Sequence, residues 1–316
     1  MWTILEIVLP VFVLMILGIA LRKGGLLDVP MEKALNTLCY WVLLPVFLTW
    51  NTAIAPPLDA SALRGVTAML AVVFLLLFLG LAFTPLLRLP PRSRGTFLQA
   101  CFRSNNAYVG IPIITFALGE TQPDLLAKGL GLAAVILTPS VLLYNFLGVL
   151  VLEWDRRHGA EQHPFQTWLR GTFKNPLVVG CLLGLLWNLL PLPTPALLGR
   201  IVTPLGTAAF PLALLAIGAR IASLPWHHFG KNVLALALIK NAAPIPIAFW
   251  TCRVLQVDDL SMLIVLVMSA CPTAVASYVL VDQLDGDRDL GAAAIATTTA
   301  LSVFSLVAAL WAATLY

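Results

Sequence analysis

Two neighbouring carboxamides, Asn105 and Asn106, stand in the middle of an otherwise apolar stretch, Gln99 to Gly119, together with Arg103, Ser104, Gly110, Ile111 and Pro112. Each amide offers two donors and an acceptor oxygen, and Gly110 and Pro112 bring the backbone freedom and the missing N–H of a helix break. Such a break leaves free N–H groups at the start of the second half-helix, which suit an anion. On this reading the half-helix beginning near Pro112 points its N–H groups at an anionic substrate and the amides orient it. The alternative is a proline kink whose Asn side chains pair only with neighbouring helices.

Two other stretches carry similar groups. SMLIVLVMSACPTAVASYVL holds Ser269, Pro272, Thr273 and Ser277 within an apolar run. It reads either as a second broken helix, with Pro272 crossing over Pro112 and substrate beside the crossing, or as a small-residue packing face. Lys240, followed by Asn241, Pro244 and Pro246, lies about ten residues from either end of its span. An ammonium at that depth costs at least about 2.5 kcal/mol. It could pair with an anionic substrate, occupy the place of a sodium ion and so remove an ion requirement, or pair with backbone carbonyls. The sequence alone leaves these open.

These side chains need membrane helices to hold them. The 316 residues are 60% hydrophobic and 11% charged, with a mean hydropathy of +0.93, far from the roughly one-quarter charged of soluble domains. An all-α polytopic membrane protein follows, with the lipid bilayer as its solvent. Spans of about 20 apolar residues, divided at Gly, Pro and charge clusters, number ten. They fall near 3–21, 32–52, 66–88, 96–118, 126–152, 175–191, 199–221, 231–252, 259–282 and 291–315.

Alternate loops divide the basic residues unequally. Of 19 Lys and Arg, fourteen, Arg103 among them, fall on one side and only Arg64, Lys128, Arg200 and Arg253 on the other, with Lys240 inside a span. The positive side is expected in the cytoplasm, with both termini outside and the loop 153–174 inside. The net charge of +4 is therefore an orientation signal and not a nucleic-acid surface. The apolar N-terminus lacks a basic leading region, so a cleaved signal peptide is not expected. The five cysteines have no C-x-x-C spacing and read as packing residues.

A shift of 166 residues brings Gly18 onto Gly184, Thr37 onto Thr203 and Pro45 onto Pro211. Residues 1–152 and 175–316 then read as two five-span repeats. An odd number of spans in each half makes the two inverted, and paired breaks in inverted halves point to a transport site.

Asp282, Asp285, Asp287 and Asp289 form an acidic cluster before the last span. A membrane prenyltransferase would hold magnesium diphosphate with such carboxylates, but a second facing acidic loop is missing, and the expected role is to cap the tenth helix. His227 and His228 read as a solvated turn. Without a Gly-rich phosphate loop, nucleophile elbow or zinc motif, the chain is expected to use neither ATP nor a cofactor and not to be an enzyme.

FRSNNAYVGIPI, ACPTAVASYVL with the following DQLDGD, LPVFVLMILGIALRKGGLL, LLPVFL and NPLVVGCLLGLL together resemble the auxin efflux carrier family of permeases in its bacterial form. The resemblance implies ten helices in two inverted five-helix repeats with broken, crossing fourth and ninth helices. It implies a scaffold of the first, second, sixth and seventh spans, with a homodimer surface on that scaffold, and a mobile transport domain made of the rest. It also implies elevator-type transport of a small organic anion such as malate, malonate or auxin in a cell inner membrane. Asn105, Asn106, Gly110 and Pro112, with Pro272 and its neighbours, would form the site. The long cytoplasmic loop of the plant carriers is absent, and one central proline stands in the ninth span where a pair is common. A bile-acid-type sodium symporter would share the crossed breaks but needs acidic or amide sodium ligands in the membrane, and no Asp or Glu lies at the middle of any span.

Overall fold

The computed structural model describes residues 2–55, 60–119, 123–153, 175–190, 193–223 and 230–315. The loop between Trp154 and Lys174 and the pair His227 and His228 lie outside them. Helices run through the described part of every one of the ten expected stretches. Among the described residues six helical stretches, 231–254 taken as one, are long and apolar enough to cross a membrane, and shorter apolar helices cover 106–119, 176–189 and 259–270.

In chain order the helices are α1 (Trp2–Lys23), α2 (Val29–Leu38), α3 (Leu44–Ala53), α4 (Ala60–Leu87), α5 (Pro91–Phe102), α6 (Ile111–Gly119), α7 (Pro123–Glu153), α8 (Pro176–Leu189), α9 (Ala196–Ala222), α10 (Lys231–Ala242), α11 (Pro244–Val254), α12 (Asp259–Ala270), α13 (Ala276–Gln283) and α14 (Arg288–Ala313). A π-helical turn, Cys39–Leu43, joins α2 to α3, and another, Asn106–Gly110, leads into α6. The eighth span divides at Ala243 because Pro244 cannot continue the hydrogen-bond ladder of α10.

The helices form two compact units whose segments alternate along the chain. The first contains α1–α3, α6, α7 up to Thr138, α8 and α9. Its core rests on two helix pairs, α1 with α9 and α3 with α8. Both pairs depend on glycine. A Cβ on Gly18 of α1 would lie 2.2 Å from the Leu215 carbonyl oxygen of α9, and one on Gly184 of α8 would lie 2.4 Å from that of Thr49 in α3. Close backbone approach of this kind replaces the hydrophobic drive that lipid cannot supply between membrane helices. Gly184 stands 166 residues after Gly18, and Leu215 stands 166 after Thr49. The shift seen in the sequence thus carries one helix contact onto the other. Within the same unit Asn188 donates to the Ala53 and Ala55 carbonyls at 3.0 and 2.7 Å, and the Tyr108 hydroxyl reaches Asn36 Oδ1 at 3.4 Å.

The second unit contains α4 from Arg64, α5 to Asn106, α7 from Pro139, and α10–α14. Its centre is α14, an alanine-rich helix packed against α5, α10, α12 and α13, with Ala294, Thr298, Ser302 and Leu306 wholly buried. Small side chains there let these helices, and α11 beside them, approach one axis.

The acidic cluster lies at one end of this unit, and its carboxylates hold the loop before α14. Asp287 caps α14 by accepting from Leu290 N at 3.0 Å and also accepts from the Ser93 hydroxyl at 2.6 Å. Arg92 pairs with Asp285, and Arg288 pairs with Asp282 at 2.6 Å. The start of α5 is thereby tied to the turn between α13 and α14.

Candidate functional site

Two helices of the second unit stop inside it. After α5 the chain runs extended through Arg103, Ser104 and Asn105, and after α12 it does so through Cys271, Pro272, Thr273 and Ala274. The two extended pieces lie antiparallel with Ser104 facing Thr273. Asn105 N donates to the Pro272 carbonyl at 2.8 Å, and Ala274 N donates to that of Arg103 at 3.0 Å. The sequence places the fourth-span break at Gly110 and Pro112. It lies instead at Arg103–Asn105, and the segment paired with Pro272 is Ser104–Asn105, not Pro112. Pro112 is the second residue of α6, directly after the π-turn and inside the helical stretch 106–119, so the chain does not unwind at it. The second half-helix begins with the π-turn at Asn106.

Unwound backbone survives in hydrocarbon only if each polar group finds a partner or lines a cavity. The unit supplies those partners from side chains. Thr273 donates its hydroxyl to the Ala100 carbonyl in the last turn of α5 at 2.9 Å, while its own N–H reaches Thr298 Oγ1 at 3.1 Å. Ser305 donates to the Ala270 carbonyl at 2.9 Å. Lys240, with no surface exposed, donates to Ser104 Oγ at 2.6 Å and to the Ser269 carbonyl at 3.3 Å. The hydroxyls of α14 and the ammonium of α10 thus cap the helix ends that the breaks create.

A second polar group gathers on the α5 side of the crossing. Arg103 is 7% exposed and donates from Nη2 to Asn145 Oδ1 at 3.0 Å. Asn106 donates to the Tyr144 hydroxyl at 3.4 Å, and that hydroxyl is also hydrogen-bonded with Ser104. Gln99 is fully buried one helical turn before Arg103, and neither end of its carboxamide has a partner among the described residues. The Asn106 oxygen is likewise unpaired there. Gly148 of α7 lets Gln99 and Arg103 pack against that helix, since a Cβ on it would lie 2.9 Å from Gln99 Nε2 and 3.6 Å from Arg103 Nη1. A buried guanidinium beside orphaned amides makes a polar cluster whose chemistry suits a negatively charged, hydrogen-bonding partner.

The structure therefore brings Asn105, Asn106, Pro272, Thr273 and Lys240 together at one crossing. Ser277 sits in the first turn of α13 with its hydroxyl donated to the Ala274 carbonyl. Asn241 donates to the Ala237 carbonyl at 3.0 Å and accepts from Ser305 at 3.4 Å, so both ends of its amide serve the packing of α10. Gly110, Ile111 and Pro112 belong to the first unit. Arg103, counted from the sequence with the basic rim, is buried in the break. Gln99, Tyr144, Asn145 and Thr298 were not singled out from the sequence, although two signals were present. Gln99 and Arg103 stand four apart, on one helix face, and Tyr144–Asn145 is a polar pair inside the apolar run VLLYNFLGV.

A family model described as a membrane transport protein, Mem_trans, matches residues 3–310. An uncharacterized transporter from Methanothermobacter thermautotrophicus is similar over 308 residues at 25% identity, which covers 95% of each chain.

Proposed function

Since the chain belongs to this membrane transport protein family, the auxin efflux carrier type that its sequence resembles, we propose that it is a secondary transporter of a small organic anion. The observation that carries the reading is the buried guanidinium of Arg103 beside the unwound crossing, with unpaired amide groups of Gln99 and Asn106 around it. A carboxylate of a mono- or dicarboxylic acid would accept from Arg103 and from the Asn105 and Gln99 amides. A hydroxyl or N–H elsewhere on the acid would donate to the Asn106 oxygen. Water-poor surroundings strengthen each of these bonds relative to bulk solvent.

Ten spans in two inverted halves are the architecture we infer. The equal offset of the two glycine contacts supports it, because a repeat must reproduce its helix pairs. The first, second, sixth and seventh spans fall in one compact unit, as a scaffold requires, although that unit also takes in α6 and α7 up to Thr138; a dimeric scaffold and an elevator-type cycle of the remaining helices are the arrangement that the resemblance implies. The excess of basic residues on one side favours a bacterial-type inner membrane with both termini outside the cytoplasm.

Uptake of labelled malate, malonate and indole acetate into proteoliposomes tests the reading, with wild type and Asn105→Ala compared with and without a pH gradient. Saturable uptake that is lost in the variant is expected. If no acid moves through folded wild-type protein, the organic-anion reading fails.

A further inference from the structure

Lys240 carries a charge that the structure does not match with an acid. Its ammonium is fully buried, and among the described residues no carboxylate pairs with it. Burial of an ammonium is costly unless the charge is answered locally. The answer here is made of oxygens: the Ser104 hydroxyl on one unwound strand and the Ser269 carbonyl in the last turn of α12. The C-terminal end of a helix carries partial negative charge, and α12 ends one residue beyond Ser269. Broken-helix transporters offer this combination, unwound backbone oxygens and half-helix C-terminal ends, to an inorganic cation.

We propose that Lys240 is a tethered cation: its ammonium permanently fills, between Ser104 Oγ and the Ser269 carbonyl, a site built for a monovalent metal ion such as sodium. The crossing is then neutralised by a covalent part of the chain, and neither folding of the unit nor transport depends on an inorganic cation. This role differs from direct binding of substrate by Lys240. Two of its three N–H donors are committed to the protein's own break, whereas the Arg103 guanidinium lies in the polar group with Gln99 and Asn145. The transport arm of the test rests on the organic-anion reading above; the stability arm does not.

The experiment compares thermal unfolding of purified wild type, Lys240→Ala and Lys240→Met in chloride salts of choline, potassium, sodium, lithium and methylammonium at one ionic strength. The wild-type midpoint is expected to be the same in all five. Lys240→Ala, which empties the site, is expected to lose stability in choline and to recover at least half of the loss in sodium, lithium or methylammonium. Lys240→Met, which fills the space with an apolar chain, should show no such recovery. Uptake should follow the same pattern, cation-independent in wild type and cation-requiring in Lys240→Ala. A wild type stabilised by sodium, or a Lys240→Ala protein equally unstable in every salt, overturns the proposal. If Lys240→Ala cannot be purified, the wild-type series decides, and sodium dependence there is enough to reject it. Should wild type move no organic acid while the unfolding series behaves as described, the tethered cation stands and the substrate assignment falls.

Discussion

Replacing Thr273 with valine removes a single hydroxyl and keeps the shape of the side chain. In the structure that hydroxyl satisfies the Ala100 carbonyl at 2.9 Å in a fully buried setting. Leaving one buried acceptor without a partner costs roughly 1–3 kcal/mol, and the isosteric change opens no cavity to add to it. The loss should fall on the crossing, because Thr273 lies between the two inter-strand bonds, Asn105 N to Pro272 O and Ala274 N to Arg103 O. Hydrogen exchange in nanodiscs reads this directly. If local opening of the crossing controls exchange, a loss of about 1–3 kcal/mol accelerates the Asn105 and Ala274 amides by roughly 5- to 150-fold. Thr273→Ser, which retains the hydroxyl, should remain close to wild type. Unchanged exchange at both amides in Thr273→Val, with faster exchange elsewhere, would refute the claim that this side chain fastens the two breaks together.

Three further outcomes follow from the same geometry. Arg103→Ala should weaken equilibrium binding of a transported acid by about 2–5 kcal/mol, the usual effect of truncating a buried charged hydrogen-bond partner, and scintillation proximity binding measures it; affinity within threefold of wild type would remove Arg103 from the site. Gly18→Ala and Gly184→Ala should each destabilise the first unit by at least about 1–3 kcal/mol, since each new methyl meets backbone oxygen and not a yielding side chain. Similar losses in thermal unfolding for the two variants would match their repeat-related contacts, and a large inequality would count against them. Asp287→Ala should cost about 0.5–2 kcal/mol as a lost helix cap while leaving proteoliposome uptake above half of wild type; abolished activity with normal folding would instead assign the acidic turn a chemical role.

The membrane character, the ten apolar stretches, the 166-residue shift and the interruption of the fourth and ninth spans were all legible in the chain. Each rests on local composition or on a repeat, and neither needs a partner to be recognised. Lys240 was legible for the same reason: a cation amid leucine and alanine stands out whatever surrounds it. The position of the fourth-span break was not. Proline and glycine advertise a break wherever they stand, yet Gly110 and Pro112 lie inside the helical stretch 106–119, and the chain unwinds at Arg103–Asn105, where the residues alone are compatible with helix. What decides the matter is tertiary. The Thr273 hydroxyl, the Ser104 hydroxyl with the Lys240 ammonium, and the Thr298 hydroxyl together satisfy the backbone and helix ends on both sides of the crossing. On the α5 side those partners, Lys240 and Thr273, come from 136 and 173 positions away. Spacing along the chain carries no trace of such a distance. The same holds for Arg103: its charge placed it at the basic rim by sequence, and only the packing of α7, with Asn145 as acceptor and Gly148 making room, allows a guanidinium to be buried there.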